Sequence, residues 1–330
     1  MKLRRLWSES CRTKYALRAR LMHSCSRIST EALLLMLLCL APKTGVAQTL
    51  VPRAYVITPL NGNAITLTYN YNVGDVLFDP AIPITDASAK FSVASFNYYH
   101  AFSFFGRSAN VTASLPYGVG TFSGSLVGIR TSLYRSGLVD SAFRLAVNLK
   151  GGPAMDVTHF RKWRQKTLIG VSLLMRVPTG QYDPARLVNP GSHRWALKPE
   201  LGLSRRWGSW VLDAYGGGWF FSENSRYFPG ASRQTAEAIG SVETHLSYDL
   251  KPRFWFSLDG NFWYGGATSV NGLFNPRSRQ KSSRVGASMS MPLSRHQSLK
   301  FNYSISDYAR IGGKFQTIST AWQYSWIGKP

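Results

Sequence analysis

Through much of this sequence, apolar and polar side chains alternate residue by residue. Period two has structural meaning only in a strand with one apolar and one polar face. Ile65, Leu67, Tyr69 and Tyr71 alternate with Thr66, Thr68, Asn70 and Asn72, and Phe143, Leu145, Val147 and Leu149 with Arg144, Ala146, Asn148 and Lys150. The pattern returns in the C-terminal third, where Val285, Ala287, Met289 and Met291 oppose Arg284, Gly286, Ser288 and Ser290. About twelve strands follow, near 63–72, 89–101, 109–116, 140–149, 165–177, 195–206, 209–221, 235–250, 253–265, 281–292, 297–309 and 315–326. Strands of ten to twelve residues suit a tilted crossing of a bilayer, and an even count suits a closed barrel.

The connections alternate as well. They are short at Trp207-Gly208, Lys251-Pro252 and Leu293 to His296. They are long at Val73 to Ser88, Tyr117 to Val139, Pro178 to Arg194, Ser222 to Gln234 and Gly266 to Gln280. Short turns on one rim and long loops on the other are the mark of a membrane-spanning, up-and-down antiparallel β-barrel. Two connections break the rule: Lys150 to Arg164 is long where a turn is expected, and Arg310 to Lys314 is short where a loop is expected. A soluble sandwich would also alternate, but strands this long and aromatic would be unusual there. Tyr69, Tyr71, Trp195, Trp219, Tyr248, Tyr264, Trp322, Tyr324 and Trp326 lie near strand ends and fit two interfacial girdles. Composition agrees, with 17% charged residues beside 13% aromatic ones and 29 glycines.

Ahead of the strands, residues 1–47 read as a cleaved export signal, with Met22 as an alternative start. Basic residues from Lys2 to Arg27 precede the apolar run Ala32 to Ala41, and Gly45-Val46-Ala47 supplies the small residues of a cleavage site. The run is half the length a membrane-spanning helix needs. Residues 48–330 then form the barrel. Cys11, Cys25 and Cys39 all lie in the leader, so the mature chain can hold neither disulfide nor thiolate metal site. Beyond the leader, 30 basic residues face 14 acidic ones. For an exported protein this points to outer-membrane lipid and lipopolysaccharide as partners rather than nucleic acid.

ASLPYG (Ala113 to Gly118), SGLVD (Ser136 to Asp140), LKGGPA (Leu149 to Ala154), VPTGQYD (Val177 to Asp183) and LVNPGSHRWALKPELGLS (Leu187 to Ser204) carry a resemblance. Over about residues 55 to 326 the chain resembles the meta-pathway phenol degradation family of outer-membrane proteins. The resemblance implies a barrel that passes small, hydrophobic or aromatic molecules across the outer membrane of a Gram-negative cell. One departure is the C-terminus, where Ile327 to Pro330 follow Trp326, the aromatic residue the barrel assembly machinery would read.

Phase assigns a lumen, because a midplane Lys or Arg facing lipid costs about 2–4 kcal/mol. The inward candidates are Arg144, Arg176, Lys198, Glu200, Asp213, Glu237, Glu243, His245, Asp259 and Lys300. Opposed charges there either line a polar path or pair with one another to fill a narrow barrel. Arg277, Arg279, Lys281 and Arg284 form a basic run on a long loop, suited to lipopolysaccharide phosphates or simply solvated. No GxSxG is present, and His100, His159, His193, His245 and His296 are scattered without metal-ligand spacing. The expectation is a passive channel with no cofactor and no enzymatic activity. The alternatives are a structural or lipopolysaccharide-binding surface barrel and, less favoured, an outer-membrane hydrolase.

Overall fold

A computed structural model of the chain describes residues 50–77, 84–126, 129–186, 188–228 and 232–329. The proposed signal and its cleavage site lie outside these. Chain segments with period-two alternation form strands whose two faces differ sharply. On Ala196–Trp207, Leu201 is 56% exposed while Lys198 and Ser204 are 6% and 0% exposed. The buried face is therefore the polar one. Outward come Leu67, Phe96, Leu115, Leu145, Leu173, Val242, Leu258, Phe262, Val285 and Ile318; inward come Ser204, Asp213, His245, Ser247, Ser257 and Ser282. A water-soluble sandwich would invert this, so the apolar face is built for lipid.

The sheet runs β1 (Gly62–Leu77), β2 (Ile84–Phe104), β3 (Arg107–Leu126), β4 (Ile129–Leu138), β5 (Ser141–Lys150), β6 (Thr167–Val177), β7 (Ala196–Trp207) and β8 (Trp210–Phe221). Outside the wall, β9 (Asn224–Tyr227) and β10 (Ser232–Ala236) follow, then β11 (Ile239–Lys251) and β12 (Phe254–Gly265) return to it. β13 (Thr268–Val270) and β14 (Leu273–Asn275) again leave the wall, and β15 (Gln280–Pro292), β16 (Gln297–Ala309) and β17 (Gly312–Ile327) complete it. Every neighbouring pair in the wall is antiparallel, and β1 pairs with β17 from Gly62↔Ile327 to Leu77↔Gly312, which closes the barrel. β3 pairs with β4 along its upper half and with β5 along its lower half. β4 and β5 are thus one interrupted stave, and the barrel has twelve.

Departures from the expected boundaries lie mostly at the long-loop rim. Tyr117 to Val139, read as a loop, is largely the tall β3–β4 hairpin. The loops after β8 and β12 hold β9, β10, β13 and β14, which join in a four-stranded sheet of their own at this mouth. At the opposite rim the anomalous connection after β5 contains α1 (Val157–Lys162), capped by Asp156, whose Oδ1 accepts from the His159 backbone N–H at 2.8 Å. The residues ahead of α1 hold the rim together: Gly152 O accepts from Ser108 N at 2.9 Å, and Met155 O accepts from Leu60 N at 2.8 Å. The extra length at this rim therefore ties the chain entering β1 to the β2–β3 turn. Among the expected girdle residues Trp219 is a correction. It shares the phase of Asp213 and Tyr215, and its ring is buried inside the barrel.

Candidate functional site

The segment ahead of β1, Leu50 to Leu60, runs inside the barrel. A strand-free segment in such a place must find partners for its backbone groups on the wall. Arg53 N donates to Asp213 Oδ2 at 3.1 Å and Ala54 N to Tyr215 Oη at 3.0 Å, while Arg144 Nη1 donates to Ala54 O at 3.4 Å. Tyr55 is 1% exposed, and its hydroxyl lies 3.0 Å from both Ser172 Oγ and Glu200 Oε1. Burial, then the Glu200 charge, pushes the Tyr55 phenol up to about 12, so it stays neutral. The wall makes room for the ring with glycine: a Cβ on Gly202 would stand 2.1 Å from it, and one on Gly170 2.5 Å. Arg53 pairs with Asp249 at 2.7 Å and lies 4.5 Å from the centre of the Trp255 ring. Thr58 Oγ1 meets Tyr99 Oη at 2.7 Å. One short segment is thus bound by β2, β5, β6, β7, β8, β11 and β12.

Beside it the inward charges form a paired belt. Lys198 Nζ lies 2.7 Å from Glu200 and 2.9 Å from Glu243. His245 Nδ1 meets Asp259 Oδ1 at 2.9 Å, and its Nε2 stands 3.8 Å from Glu243. Ser288 Oγ donates to Asp259 Oδ2 at 2.6 Å, so this serine is bound to the acid and not to the imidazole that a hydrolytic triad would need beside it. Arg206 pairs with Asp249 at 2.6 Å, and Lys300 Nζ lies 5.6 Å from the Trp255 ring.

Arg144, Arg176, Lys198, Glu200, Asp213, Glu243, His245, Asp259 and Lys300 all stand on the inward phase of their strands. Glu237 does not. It precedes β11, is exposed at the mouth and pairs with Arg279 at 2.9 Å. Arg284 is a further correction. Only 3% exposed, it points into the barrel and donates to Ser304 Oγ, Ser306 Oγ and Thr317 Oγ1, which removes it from any lipid-headgroup surface. Arg277 sits exposed on a 3-10 turn, and Lys281 is exposed in register with outward-facing Tyr264.

Nearer the long-loop mouth the interior changes character. Ala196, Trp219, Ile239 and Trp263 pack together with Leu174 and Phe221. Trp219 and Phe221 stand with parallel rings 6.4 Å apart. Arg176 lies over Trp219 at 4.6 Å and Arg194 over Phe221 at 4.4 Å. The loop after β6 closes against this shelf through Asp140, which accepts from Gly180 N at 3.0 Å, Ser192 N at 3.0 Å and Ser192 Oγ at 2.5 Å. Sequence reasoning named Arg176 but missed Arg53, Tyr55, Arg194, Trp219 and Trp263 as interior residues. Strand phase places Trp219 and Trp263 inside, whereas no periodicity marks residues 50–60.

An apolar outer face, a charged inner face and a closed seam define a membrane-spanning β-barrel of the outer-membrane type. Residues 81–322 match the family described as "Putative MetA-pathway of phenol degradation", and the chain belongs to that family. No curated protein matches the sequence. Among solved structures, the COG4313 outer membrane channel from Pseudomonas putida F1 superposes with a TM-score of 0.69 at 14% identity, covering 84% of this chain and all of that one. The toluene transporter TodX of P. putida aligns at a TM-score of 0.44 and 12% identity over 83% of this chain and 91% of its own. The transport unit of the Escherichia coli autotransporter AIDA-I aligns at 0.48 and 8% identity, over 85% and 93% respectively.

Proposed function

We propose that this protein is an outer-membrane channel for passive uptake of small hydrophobic or aromatic molecules. The observation that carries the reading is the layered interior: an aromatic shelf under the loops, a paired charge belt at mid-barrel and the Leu50–Leu60 segment across the lumen. A structural barrel has no use for an aromatic cluster beneath its outer loops, whereas a channel for apolar cargo needs one apolar resting place above a narrow polar step. The resemblance in fold to an outer membrane channel supports the same reading. Neither ATP nor a nucleotide-binding motif is at hand, so passage follows the concentration gradient. The inward residues act as wall and electrostatic lining rather than as catalysts.

Two measurements test this. Proteoliposomes holding the purified protein should admit small solutes slowly, and an Arg53→Ala/Tyr55→Ala variant, which frees the segment from Asp249, Ser172 and Glu200, should admit them several-fold faster. A deletion strain should lose uptake of some aromatic compounds while keeping that of polar nutrients. Impermeable liposomes with both proteins, together with unchanged uptake across the whole panel, would defeat the channel.

A second reading, a surface barrel that binds lipopolysaccharide, draws on exposed Arg277 and outward Lys281. It is compatible with the first.

A further inference from the structure

Among the described residues, neither guanidinium group at the shelf makes an ion pair. Arg176 and Arg194 lie over neighbouring, parallel rings, Trp219 and Phe221, and the Arg176 charge acts on Arg194. Burial, offset by Asp140 and Tyr227 and reinforced by the Arg176 charge, pulls the Arg194 guanidinium below its usual range. Asp140, the carboxylate whose charge acts on both groups, already accepts two backbone N–H groups and the Ser192 hydroxyl. Among the described residues Arg194 Nη1 is buried with no hydrogen-bond partner, and Arg176 makes no ion pair although it is open to the interior space. A buried donor left unmatched is costly, and a planar guanidinium fork matches a carboxylate with two parallel hydrogen bonds. Around the pair, Leu174, Ala196, Ile239 and Trp263 supply apolar and aromatic wall.

We propose that Arg176 and Arg194, stacked on Trp219 and Phe221, form a binding site for the carboxylate of a small aromatic acid whose ring rests against Leu174 and Phe221, the partly buried edge of the Trp219–Trp263 cluster. This rests on the channel reading and narrows its cargo: the preferred solute is an aromatic anion rather than a neutral hydrocarbon. The pair fixes the charged end by bidentate hydrogen bonds, and the apolar edge holds the flat apolar end by burial. From there the belt of Lys198, Glu200 and Glu243 is the next charged step along the barrel.

The test is equilibrium binding of benzoate, benzyl alcohol and acetate to the full-length, detergent-solubilised protein at neutral pH. Benzoate should bind at least about tenfold more tightly than benzyl alcohol, which lacks the charge, and than acetate, which lacks the ring. Arg176→Gln and Arg194→Gln should each weaken benzoate by about tenfold and leave benzyl alcohol within about twofold. Should Arg176→Gln fail to fold, as judged by heat-modifiable mobility, Arg176→Lys keeps the charge without the fork and should give a smaller loss of benzoate affinity. Benzoate binding no tighter than benzyl alcohol, or undiminished in the folded variants, overturns the site. Binding to solubilised protein requires no passage. No benzoate binding beside permeable proteoliposomes therefore sinks the aromatic-acid site alone, whereas benzoate binding beside impermeable ones and unchanged uptake by the deletion strain sinks the channel alone.

Discussion

Tyr55 shows how a single side chain can depend on what its neighbours lack. Its ring occupies the space that Cβ atoms on Gly202 and Gly170 would fill, so those two inward positions of β6 and β7 are coupled to a residue more than a hundred positions away. Gly202→Ala should displace the ring at a cost of about 1–3 kcal/mol, the usual penalty for overpacking. In proteoliposomes the substitution should speed solute passage, and the Tyr55→Ala/Gly202→Ala double variant should behave as Tyr55→Ala alone, because the added methyl then meets nothing. A double variant much worse than either single one would disprove the contact. Strand phase already held the information for Trp219 and Arg284. Trp219 follows Asp213, Tyr215 and Gly217 on one face, and Arg284 opposes Val285. Both were misplaced by a coarser cue, an aromatic near a strand end in one case and a run of basic residues in the other. Glu237 was misplaced because β11 begins at Ile239, later than alternation alone suggested.

At the scale of elements, the wall was legible because a half-buried strand writes its geometry into every second residue. Loop length was a poorer guide. β3 and β4 extend beyond the lipid-facing alternation, where both faces can be polar, so the hairpin looked like a loop. The connection after β5 was anomalous in sequence for a reason sequence could not state: it docks on Leu60 and the β2–β3 turn. Its helix is so short that its cap matters. The His159 backbone hydrogen bond, then its side chain, holds the Asp156 carboxyl below its ordinary value. A depressed carboxyl stabilises at neutral pH and loses that contribution as pH falls through its folded value. Amide exchange at Val157 to Lys162 should therefore rise once pH drops below the ordinary aspartate range, while β5 and β6 stay protected. Exchange that is flat across that range would show the cap to be idle.

For the whole molecule, the balance of charge outside the barrel is separate from the balance within. Inside, Arg53, Lys198, Arg206 and His245 pair with carboxylates, while Arg176 and Arg194 lie on aromatic rings. Outside, at the long-loop mouth, Arg277 and Lys281 are exposed, and Arg279 is shared with Glu237. Replacing Arg277, Arg279 and Lys281 together by Ser should reduce co-purifying lipopolysaccharide without changing the folded, heat-modifiable band, and the effect should shrink at high salt because exposed charges are screened. Retention identical to the parent would leave these residues merely solvated. The lumen segment is the part of the molecule that no local pattern announces. Its eleven residues carry neither period two nor period 3.6, and their partners stand far away in sequence, as Arg53 and Asp213 do.

That segment is also continuous with the seam of the barrel. Only Asn61 separates Leu60 from β1, and Asn61 is held on both sides, its N–H by Ala101 O at 3.0 Å and its carbonyl by Gly328 N at 2.8 Å. A segment that leaves the lumen therefore stays leashed at the rim it came from, and its return is intramolecular, at an effective concentration of about millimolar or above. Whether the passage is blocked is then settled within each molecule separately. It is independent of how many copies the membrane holds, and a free peptide of the same sequence would compete poorly for the vacated place.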